Sequence, residues 1–126
     1  MAEPFGKLIY TQEEAPEQVI SKAETHTAKI EAPDTVKAGE PFKVTIKVGP
    51  HEMRDVHSIR KVELYIYEEG RPFNPVHVAT VEFGPEYTEP EVTLTLKLKK
   101  NSTLYAITYC NLHGLWEARK EIKVEQ

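Results

Sequence analysis

The chain has 126 residues, 40% of them hydrophobic, and a formal net charge of −4. This length predicts one domain that buries about two thirds of the surface exposed by its unfolded chain, so it folds without cross-links. The acidic balance argues against broad nucleic-acid binding. No apolar run approaches the ~20 residues of a membrane span. We therefore expect a soluble domain whose partners include neither a nucleic acid nor a membrane.

The N-terminal segment, residues 1–25, is polar and carries prolines at positions 4 and 16. We expect it to form an arm with at most a short helix from Pro16 to Ala23. Its beginning lacks the basic start and the apolar stretch of a secretory signal, which predicts a cytoplasmic chain. The absence of disulfide potential agrees with that location.

From His26 onwards the sequence alternates apolar and polar residues, as half-buried antiparallel strands do. Turn clusters separate the alternating segments, of which the clearest are 42–48, 62–66, 92–98 and 122–124. Six or seven short strands at this spacing predict an all-β fold. We expect an immunoglobulin-like antiparallel β-sandwich over residues 26–126, preceded by the short N-terminal arm of residues 1–25.

The single cysteine of the chain, Cys110, is followed by a histidine three positions later, His113. One cysteine excludes an internal disulfide, and it excludes a zinc or iron-sulfur site built from cysteines of one chain. Three roles remain for the thiol: an inert core residue, a nucleophile, or one soft metal ligand that imidazoles complete. Considered alone, such a thiol is more often packed in a core than bound to a metal.

Four of the five histidines lie near predicted strand ends. His26 is predicted to open the first strand, and His51 and His57 lie in the loop between the second and third strands. Cys110 and His113 lie in the turn after a later strand. Because loops at one end of a sandwich can bring such residues together on a rigid scaffold, a metal site is one interpretation.

Each of these residues also has an interpretation without a metal. His26 beside Glu24 fits a surface ion pair, the two histidines of the following loop fit solvent-facing positions, and His113 fits a hydrogen bond within its own turn. The fifth histidine, His77, lies in a strand-like segment with no partner nearby in the sequence. We predict that His77 is structural or exposed.

The segment Ser102–Glu117 resembles the signature of the superoxide reductases, specifically the small neelaredoxin type, around their cysteine and last histidine. Further resemblance comes from Tyr87–Pro90 before a strand and from the five-residue gap between His51 and His57. The triplet Glu24-Thr25-His26 is similar to the Glu-Lys-His that is usual in the family. The similarity runs from about residue 23 to the C-terminus. Because no four-cysteine rubredoxin-like domain precedes it, we expect the single-iron form.

The resemblance implies one iron per chain, cycling between Fe2+ and Fe3+. It implies four imidazole ligands in a plane and the Cys110 thiolate as the axial ligand; the imidazoles belong to His26, His51, His57 and His113. A thiolate opposite an open position pushes electron density toward whatever binds there. Glu24, in the N-terminal arm and active-site loop of residues 1–25, is implied to bind the ferric iron at that position and to move away on reduction.

The activity that the resemblance implies is the one-electron reduction of superoxide to hydrogen peroxide, with uptake of two protons and without dismutation. Turnover then needs rubredoxin or a similar one-electron donor. Close relatives of this type are commonly homotetramers, and we expect the same assembly here.

Thr25 departs from the family pattern, in which a lysine attracts the anionic substrate and helps to organise a proton-donating water. Two unit charges about 5 Å apart at an effective dielectric near 20 interact by roughly 3 kcal/mol, so loss of that charge matters. Lys22, two residues before Glu24, is our first candidate for a replacement, and Arg54 is the second, although such residues are ordinarily solvated. Alternatively the iron and its imidazoles suffice, with Thr25 holding a water.

Two other classes of protein compete with this interpretation. A cupredoxin-like electron-transfer protein also combines a β-sandwich with Cys-x-x-His near the C-terminus. Such a site uses two histidines and usually a methionine shortly after the second, whereas residues 114–117 contain no methionine. A metal-free immunoglobulin-like interaction module explains the fold but leaves the histidines at the strand ends unexplained.

Overall fold

The computed structural model describes residues 3–126, in which β-strands dominate. The nine strands of these residues are β1 (Tyr10–Thr11), β2 (Lys29–Glu31), β3 (Thr35–Lys37), β4 (Phe42–Lys47), β5 (Ile59–Glu68), β6 (Val76–Glu82), β7 (Glu91–Leu96), β8 (Ser102–Cys110) and β9 (Gly114–Glu125). The helical segments are a 3-10 helix (Phe5–Leu8), α1 (Glu17–Ile20) and α2 (Ala23–His26). Among the described residues, helices this short fall well below the length and apolarity that crossing a membrane requires.

The strands form two sheets around a common core. The larger sheet has the order β1-β9-β8-β5-β6, with β3 also paired to β9, and the smaller sheet has the order β2-β4-β7. Neighbouring strands are antiparallel except that β1 and β3 run parallel to different parts of β9. This architecture confirms the predicted all-β, immunoglobulin-like sandwich.

The core follows the alternation seen in the sequence. Along β8 every second residue is buried, from Ser102 through Leu104 to Cys110, and β4 contributes Val44 and Ile46 from the other sheet. Burying an aliphatic side chain of this size contributes about 1.5–3 kcal/mol to folding. The alternation also places Cys110 on the buried face of β8, at the end of that strand.

The N-terminal segment is more structured than an arm with one short helix. Tyr10 and Thr11 form β1 and pair with Trp116 and Glu117 of β9, so this segment adds a strand to the larger sheet. The predicted helix from Pro16 to Ala23 is instead two short helices, α1 and α2. The division into residues 1–25 and 26–126 stays a prediction.

The prediction that His26 opens a strand is wrong. The backbone N–H of His26 donates to the Lys22 carbonyl at 3.0 Å, and that of Thr27 donates to Ala23 at 2.9 Å, which closes a helical turn. His26 is therefore the last residue of α2, and β2 begins only at Lys29. The helical turn leaves the His26 side chain buried, with 2% of its surface exposed.

Candidate metal centre

Four histidines and the cysteine converge at one end of the sandwich. One nitrogen from each of His26, His51 and His57 and the sulfur of Cys110 all lie within 4.8 Å of one another. His113 joins them, because its Nδ1 lies 3.1 Å from His26 Nε2 and 3.6 Å from Cys110 Sγ. The five side chains come from the end of α2, the loop between β4 and β5, the end of β8 and the turn before β9.

The four imidazoles are arranged around a centre. Neighbouring rings have centroid distances of 4.6 to 5.1 Å, and the diagonal pair, His26 and His57, is 6.4 Å apart. Cys110 Sγ lies 3.7 Å from His51 Nε2 and is buried. His77 lies apart from this group, exposed on β6 with its Nε2 2.7 Å from Thr80 Oγ1.

The hydrogen bonds on the outer side of the rings determine which nitrogen of each ring is unprotonated and presents its lone pair to the centre of the cluster. His26 Nδ1 lies 2.9 Å from the Lys22 carbonyl, and His51 Nδ1 lies 2.6 Å from the Glu52 carbonyl. A carbonyl oxygen only accepts, so both Nδ1 atoms carry the proton and the Nε2 atoms of the neutral rings do not. His57 Nδ1 similarly donates to the Glu52 carboxylate.

The inward nitrogens fit a cation. The unprotonated Nε2 atoms of His26 and His51 lie only 3.1 Å apart with no hydrogen to share between them. His57 Nε2 is buried and has no hydrogen-bond partner. Since buried polar atoms are normally paired, a set of converging lone pairs beside a thiol is explained by a metal ion that several of them coordinate.

Burial lowers the pKa of three of the imidazoles, those of His26, His51 and His113, which favours the neutral form that metal ligation requires. The pKa of His26 is lowered to about 4, first by burial and then by the neighbouring imidazoles, against the opposing effect of the hydrogen bond to the Lys22 carbonyl. Burial also lowers the pKa of His51. The pKa of His113 is lowered first by burial and next by the charge of Lys22, a residue that lines the same pocket.

A second layer of side chains holds the ligands in place. The Glu52 carboxylate accepts a hydrogen bond from His57 and lies 3.8 Å from the Arg54 guanidinium, and the hydrogen bond from His57 lowers the pKa of Glu52. Thr108 Oγ1 donates to the His26 carbonyl at 2.9 Å, and Trp116 Nε1 donates to the His113 carbonyl at 3.0 Å. Groups that orient metal ligands in this way affect metal affinity.

The side chain of Asn111 ties the two ligand-bearing loops together. Its Oδ1 accepts from the Ser58 N–H and its Nδ2 donates to the Val56 carbonyl, both at 2.9 Å. Gly49 allows the turn of the chain that leads to His51. Its φ is +124°, and a Cβ there would lie 2.5 Å from the backbone nitrogen of His51. Asn111 and Gly49 therefore both support the conformation in which the loop between β4 and β5 presents its two histidines to the cluster.

Three residues that support the ligands are not predicted from the sequence: Glu52, Thr108 and Asn111. Two of the contacts join distant parts of the chain: Thr108 on β8 reaches the carbonyl of His26, 82 positions away, and Asn111 reaches Val56, 55 positions away. The contact of Glu52 with His57 lies within one loop and depends on how that loop folds. Adjacency to His51 is the only local signal for Glu52, and it does not show that the carboxylate folds back onto His57.

The other predicted site residues lie on or near α2. Glu24 and Lys22 are exposed, and Lys22 lines a pocket of about 290 Å³ together with His113, Tyr10 and Trp116. Thr25 Oγ1 lies 2.9 Å from His26 Nδ1 and donates to the Lys22 carbonyl at 3.2 Å. Arg54 is the second candidate for replacing the lysine of the family pattern, and its guanidinium is paired with Glu52 at 3.8 Å.

Comparison with known proteins agrees with this geometry. Residues 18–119 match the family model described as desulfoferrodoxin. The chain is 42% identical to the superoxide reductase of Pyrococcus furiosus, covering 76% of this chain and 86% of the relative. It is 35% identical to the neelaredoxin of Megalodesulfovibrio gigas over 82% of this chain and 91% of the relative.

A solved structure is more similar still. The superoxide reductase (neelaredoxin) from Ignicoccus hospitalis has 67% sequence identity and a TM-score of 0.92, with coverage of 98% of this chain and 100% of that chain. These similarities decide against the cupredoxin-like and metal-free alternatives. The chain belongs to the desulfoferrodoxin family, among the superoxide reductases of the neelaredoxin type, which are oxidoreductases.

Proposed function

We propose that this chain reduces superoxide to hydrogen peroxide, without dismutation, at one iron held by five side chains: His26, His51, His57, His113 and Cys110. Each superoxide takes up one electron and two protons. The observation that best supports this proposal is the convergence of unprotonated imidazole nitrogens on the Cys110 sulfur within 4.8 Å. When bound, the iron alternates between Fe2+ and Fe3+ and supplies the electron.

The donor set favours iron on chemical grounds. Imidazoles bind ferrous iron well, and a single thiolate raises electron density on the metal. Cys110 is 1% exposed, so its sulfur is kept from solvent and from partners other than the site. His26 donates its Nδ1 proton to the Lys22 carbonyl, and His51 and His57 donate theirs to the carbonyl and the carboxylate of Glu52. These bonds leave the Nε2 atoms of the three rings free for the metal.

We propose separate roles for the three residues of the α2 turn. Glu24 caps the resting ferric site from an exposed position two residues before His26. Lys22 supplies the positive charge that Thr25 lacks; its influence on His113 and its place in the adjoining pocket support this role. The Thr25 hydroxyl is engaged with His26 Nδ1, which supports a positioning role for Thr25 instead of contact with the substrate.

The partners and location remain proposals that rest on the family. We propose rubredoxin or a similar small protein as the one-electron donor, a cytoplasmic location and a homotetrameric assembly. The exposed apolar residues of the N-terminal segment, among them Phe5 and Leu8, support a role for that segment in assembly.

The experiment that tests the proposal is metal analysis with visible spectroscopy before and after ascorbate, followed by reaction with superoxide. We expect about one iron per chain, since the chain offers a single thiolate and one ring of imidazoles. The oxidised form should show a thiolate-to-iron band that bleaches on reduction, and every superoxide consumed should yield one peroxide. Copper with an intense blue band, no bound metal, or half that peroxide yield with release of dioxygen would contradict the proposal.

A further inference from the structure

A tryptophan and a tyrosine form an aromatic pair beside the metal centre. Trp116 is the only tryptophan of the chain and is 1% exposed. Its ring centroid lies 5.0 Å from that of Tyr10, with the two planes tilted by 51°. Tyr10 is half-buried on β1, which pairs with β9 at Trp116. Two side chains that lose one electron readily are therefore in contact with each other.

Trp116 also contacts two of the proposed metal ligands. Its ring centroid lies 5.8 Å from that of His26, and its Nε1 donates to the His113 carbonyl at 3.0 Å. Among residues 3–126, no tyrosine ring pairs with an imidazole of the cluster. The tyrosine that does pair with a histidine is Tyr65, and its partner is the distant His77. The indole of Trp116 therefore links the cluster to Tyr10.

The tyrosine end of this pair reaches a pocket. Tyr10 and Trp116 line the pocket of about 290 Å³ that Lys22 and His113 also line. Its volume is close to the lower end of the range for small-molecule sites, about 300–1,000 Å³. Among the described residues of its lining, Lys22 alone carries a charge, and the carboxylate of Glu24 does not line it. A small anion in the pocket would meet this ammonium group and the Tyr10 ring together.

We propose that Trp116 and Tyr10 form a relay that passes one electron from a small anionic reductant, an enediolate such as ascorbate, to the metal centre when hydrogen peroxide oxidises it. The inference rests on the proposed function, which releases peroxide at the metal. The relay protects the ligands, because an oxidising equivalent that stayed at the centre would attack the imidazoles or oxidise the Cys110 thiolate beyond repair.

The electrons and protons of this sequence balance. The O–O bond of peroxide breaks, and two electrons and two protons convert it to two waters. One electron comes from the ferrous iron and the other from Trp116, which recovers it from Tyr10. The Tyr10 hydroxyl supplies one proton and solvent supplies the other. The phenoxyl radical left on Tyr10 then takes a hydrogen atom from the enediolate, which leaves as its radical anion.

The first test uses the chain loaded with zinc, which binds imidazoles and thiolate but has no redox chemistry. A laser flash ejects an electron from the single indole, and transient absorption follows the indolyl radical and the phenoxyl radical that replaces it. We expect the phenoxyl signal to be lost in Tyr10→Phe, a change that removes only a hydroxyl. Tyr65→Phe is the matched control, because Tyr65 is also half-buried but pairs with His77.

The same flash experiment tests the pocket. Ascorbate should shorten the lifetime of the Tyr10 radical, and high salt should weaken this effect because the reaction joins opposite charges. Lys22→Ala should slow the reaction with ascorbate. Lys29→Ala, which removes an exposed lysine from β2, should not.

The second test adds hydrogen peroxide to the ferrous, iron-loaded chain and freezes the mixture for electron paramagnetic resonance. We expect a phenoxyl radical that is absent in Tyr10→Phe, persists in Tyr65→Phe and disappears when ascorbate is present. Peptide mass mapping after repeated peroxide additions should show more oxidation of Cys110 and of the histidines in Tyr10→Phe than in the unchanged chain. Neither measurement depends on turnover of superoxide.

Several outcomes would overturn the inference. They are a phenoxyl signal that survives in Tyr10→Phe, a reaction with ascorbate that is indifferent to Lys22, or ligands that are oxidised equally in both proteins. A relay that works in the zinc-loaded chain but gives no radical with peroxide in the iron-loaded chain would also overturn it. If superoxide is reduced normally while any of these is found, the relay alone is wrong. If added peroxide gives the expected radical but superoxide is not reduced, the proposed function is wrong and the relay stands.

Discussion

Lys22 is the residue that we propose as the source of the positive charge that Thr25 lacks. In addition to burial, the positive charge of its ammonium group lowers the pKa of His113, whereas its backbone carbonyl oxygen accepts a hydrogen bond from His26 Nδ1. The two roles can be separated because alanine keeps the carbonyl. We expect Lys22→Ala to lower the association rate with superoxide several-fold and to weaken its salt dependence, as loss of a nearby steering charge does.

The control for this prediction is Lys29→Ala, which removes an exposed lysine from β2. Pulse radiolysis at several ionic strengths measures both the rate constant and its salt dependence. Equal behaviour of the Lys22→Ala and Lys29→Ala proteins would show that Lys22 does not supply the missing charge. Arg54→Ala would then become the informative variant.

Glu52 is a positioning residue for His57. Its carboxylate fixes the His57 proton on Nδ1 and thereby leaves Nε2 free to face the centre. The Glu52→Gln substitution keeps an oxygen that can accept the hydrogen bond from the His57 ring but removes the negative charge. We expect the affinity for the metal to fall about 10- to 100-fold, the range observed when such partners of metal-bound histidines are changed.

The rate of iron loss to a chelator measures this effect without reference to turnover. Glu89→Gln is the matched control, because Glu89 is exposed nearby and has no hydrogen bond to a ligand among the described residues. If both variants lose iron at the rate of the unchanged protein, then the contact between Glu52 and His57 does not hold the ligand.

At the scale of elements, the loop between β4 and β5 depends on one glycine. A Cβ at position 49 would lie 2.5 Å from the backbone nitrogen of His51, and φ is +124°. We expect Gly49→Ala to displace His51 and lower metal content markedly, with a loss of stability of about 1–3 kcal/mol from backbone strain. Metal content and urea unfolding measure the two effects.

Gly39→Ala separates backbone strain from displacement of the ligand. Gly39 has φ +77°, and a Cβ there meets nothing within 4 Å. This variant should lose stability to a similar degree and keep its full metal content. A Gly49→Ala protein that is destabilised but still binds metal normally would show that the loop tolerates the side chain.

The elements also show why some of the fold was predictable and some was not. Strands such as β4 and β8 present one face to the core, so the period of two in their sequence predicted them. β1 has two residues, too few for any period, and its partner Trp116 lies 106 positions later. The four-residue helix α2 is too short to show helical periodicity, so the sequence predicts a strand at His26 where the chain forms a helical turn.

For the site, the argument that residues at strand ends gather at one end of a sandwich applies to Cys110, His51, His57 and His113, and the motif around Cys110 is specific. His26 joins them from the end of α2, which the alternation does not predict. The supporting contacts had no comparable signal. Thr108 lies on β8 like any other buried residue of the alternation, and only the packing of α2 against that strand brings it to the His26 carbonyl.

At the scale of the whole molecule, the buried imidazoles make the metal-free chain sensitive to pH. The pKa of His26 is lowered to about 4 in the folded chain, whereas its ordinary value is 6.5. Below pH 6.5 the unfolded chain therefore binds a proton that the folded chain does not. The contribution of the neutral ring to the free energy of unfolding is fully present above pH 6.5. It is lost as the pH falls toward 4, by up to about 1.4 kcal/mol per pH unit for each such group.

Urea unfolding of the metal-free chain between pH 7.5 and 4 measures this loss, and the lowered pKa values of His51 and His113 add to it in the same direction. The slope of the free energy of unfolding against pH reports how many more protons the unfolded chain binds. His26→Gln should reduce that number by about one. His77→Gln should leave it unchanged, because His77 is exposed on β6. A bound metal stabilises the folded chain and must compete with the same protons, so the loaded protein should release its metal as the pH falls through this range. Stability that stays constant from pH 7.5 to 4, or a slope that depends on His77 instead of His26, would show that the cluster does not govern the acid response of the molecule.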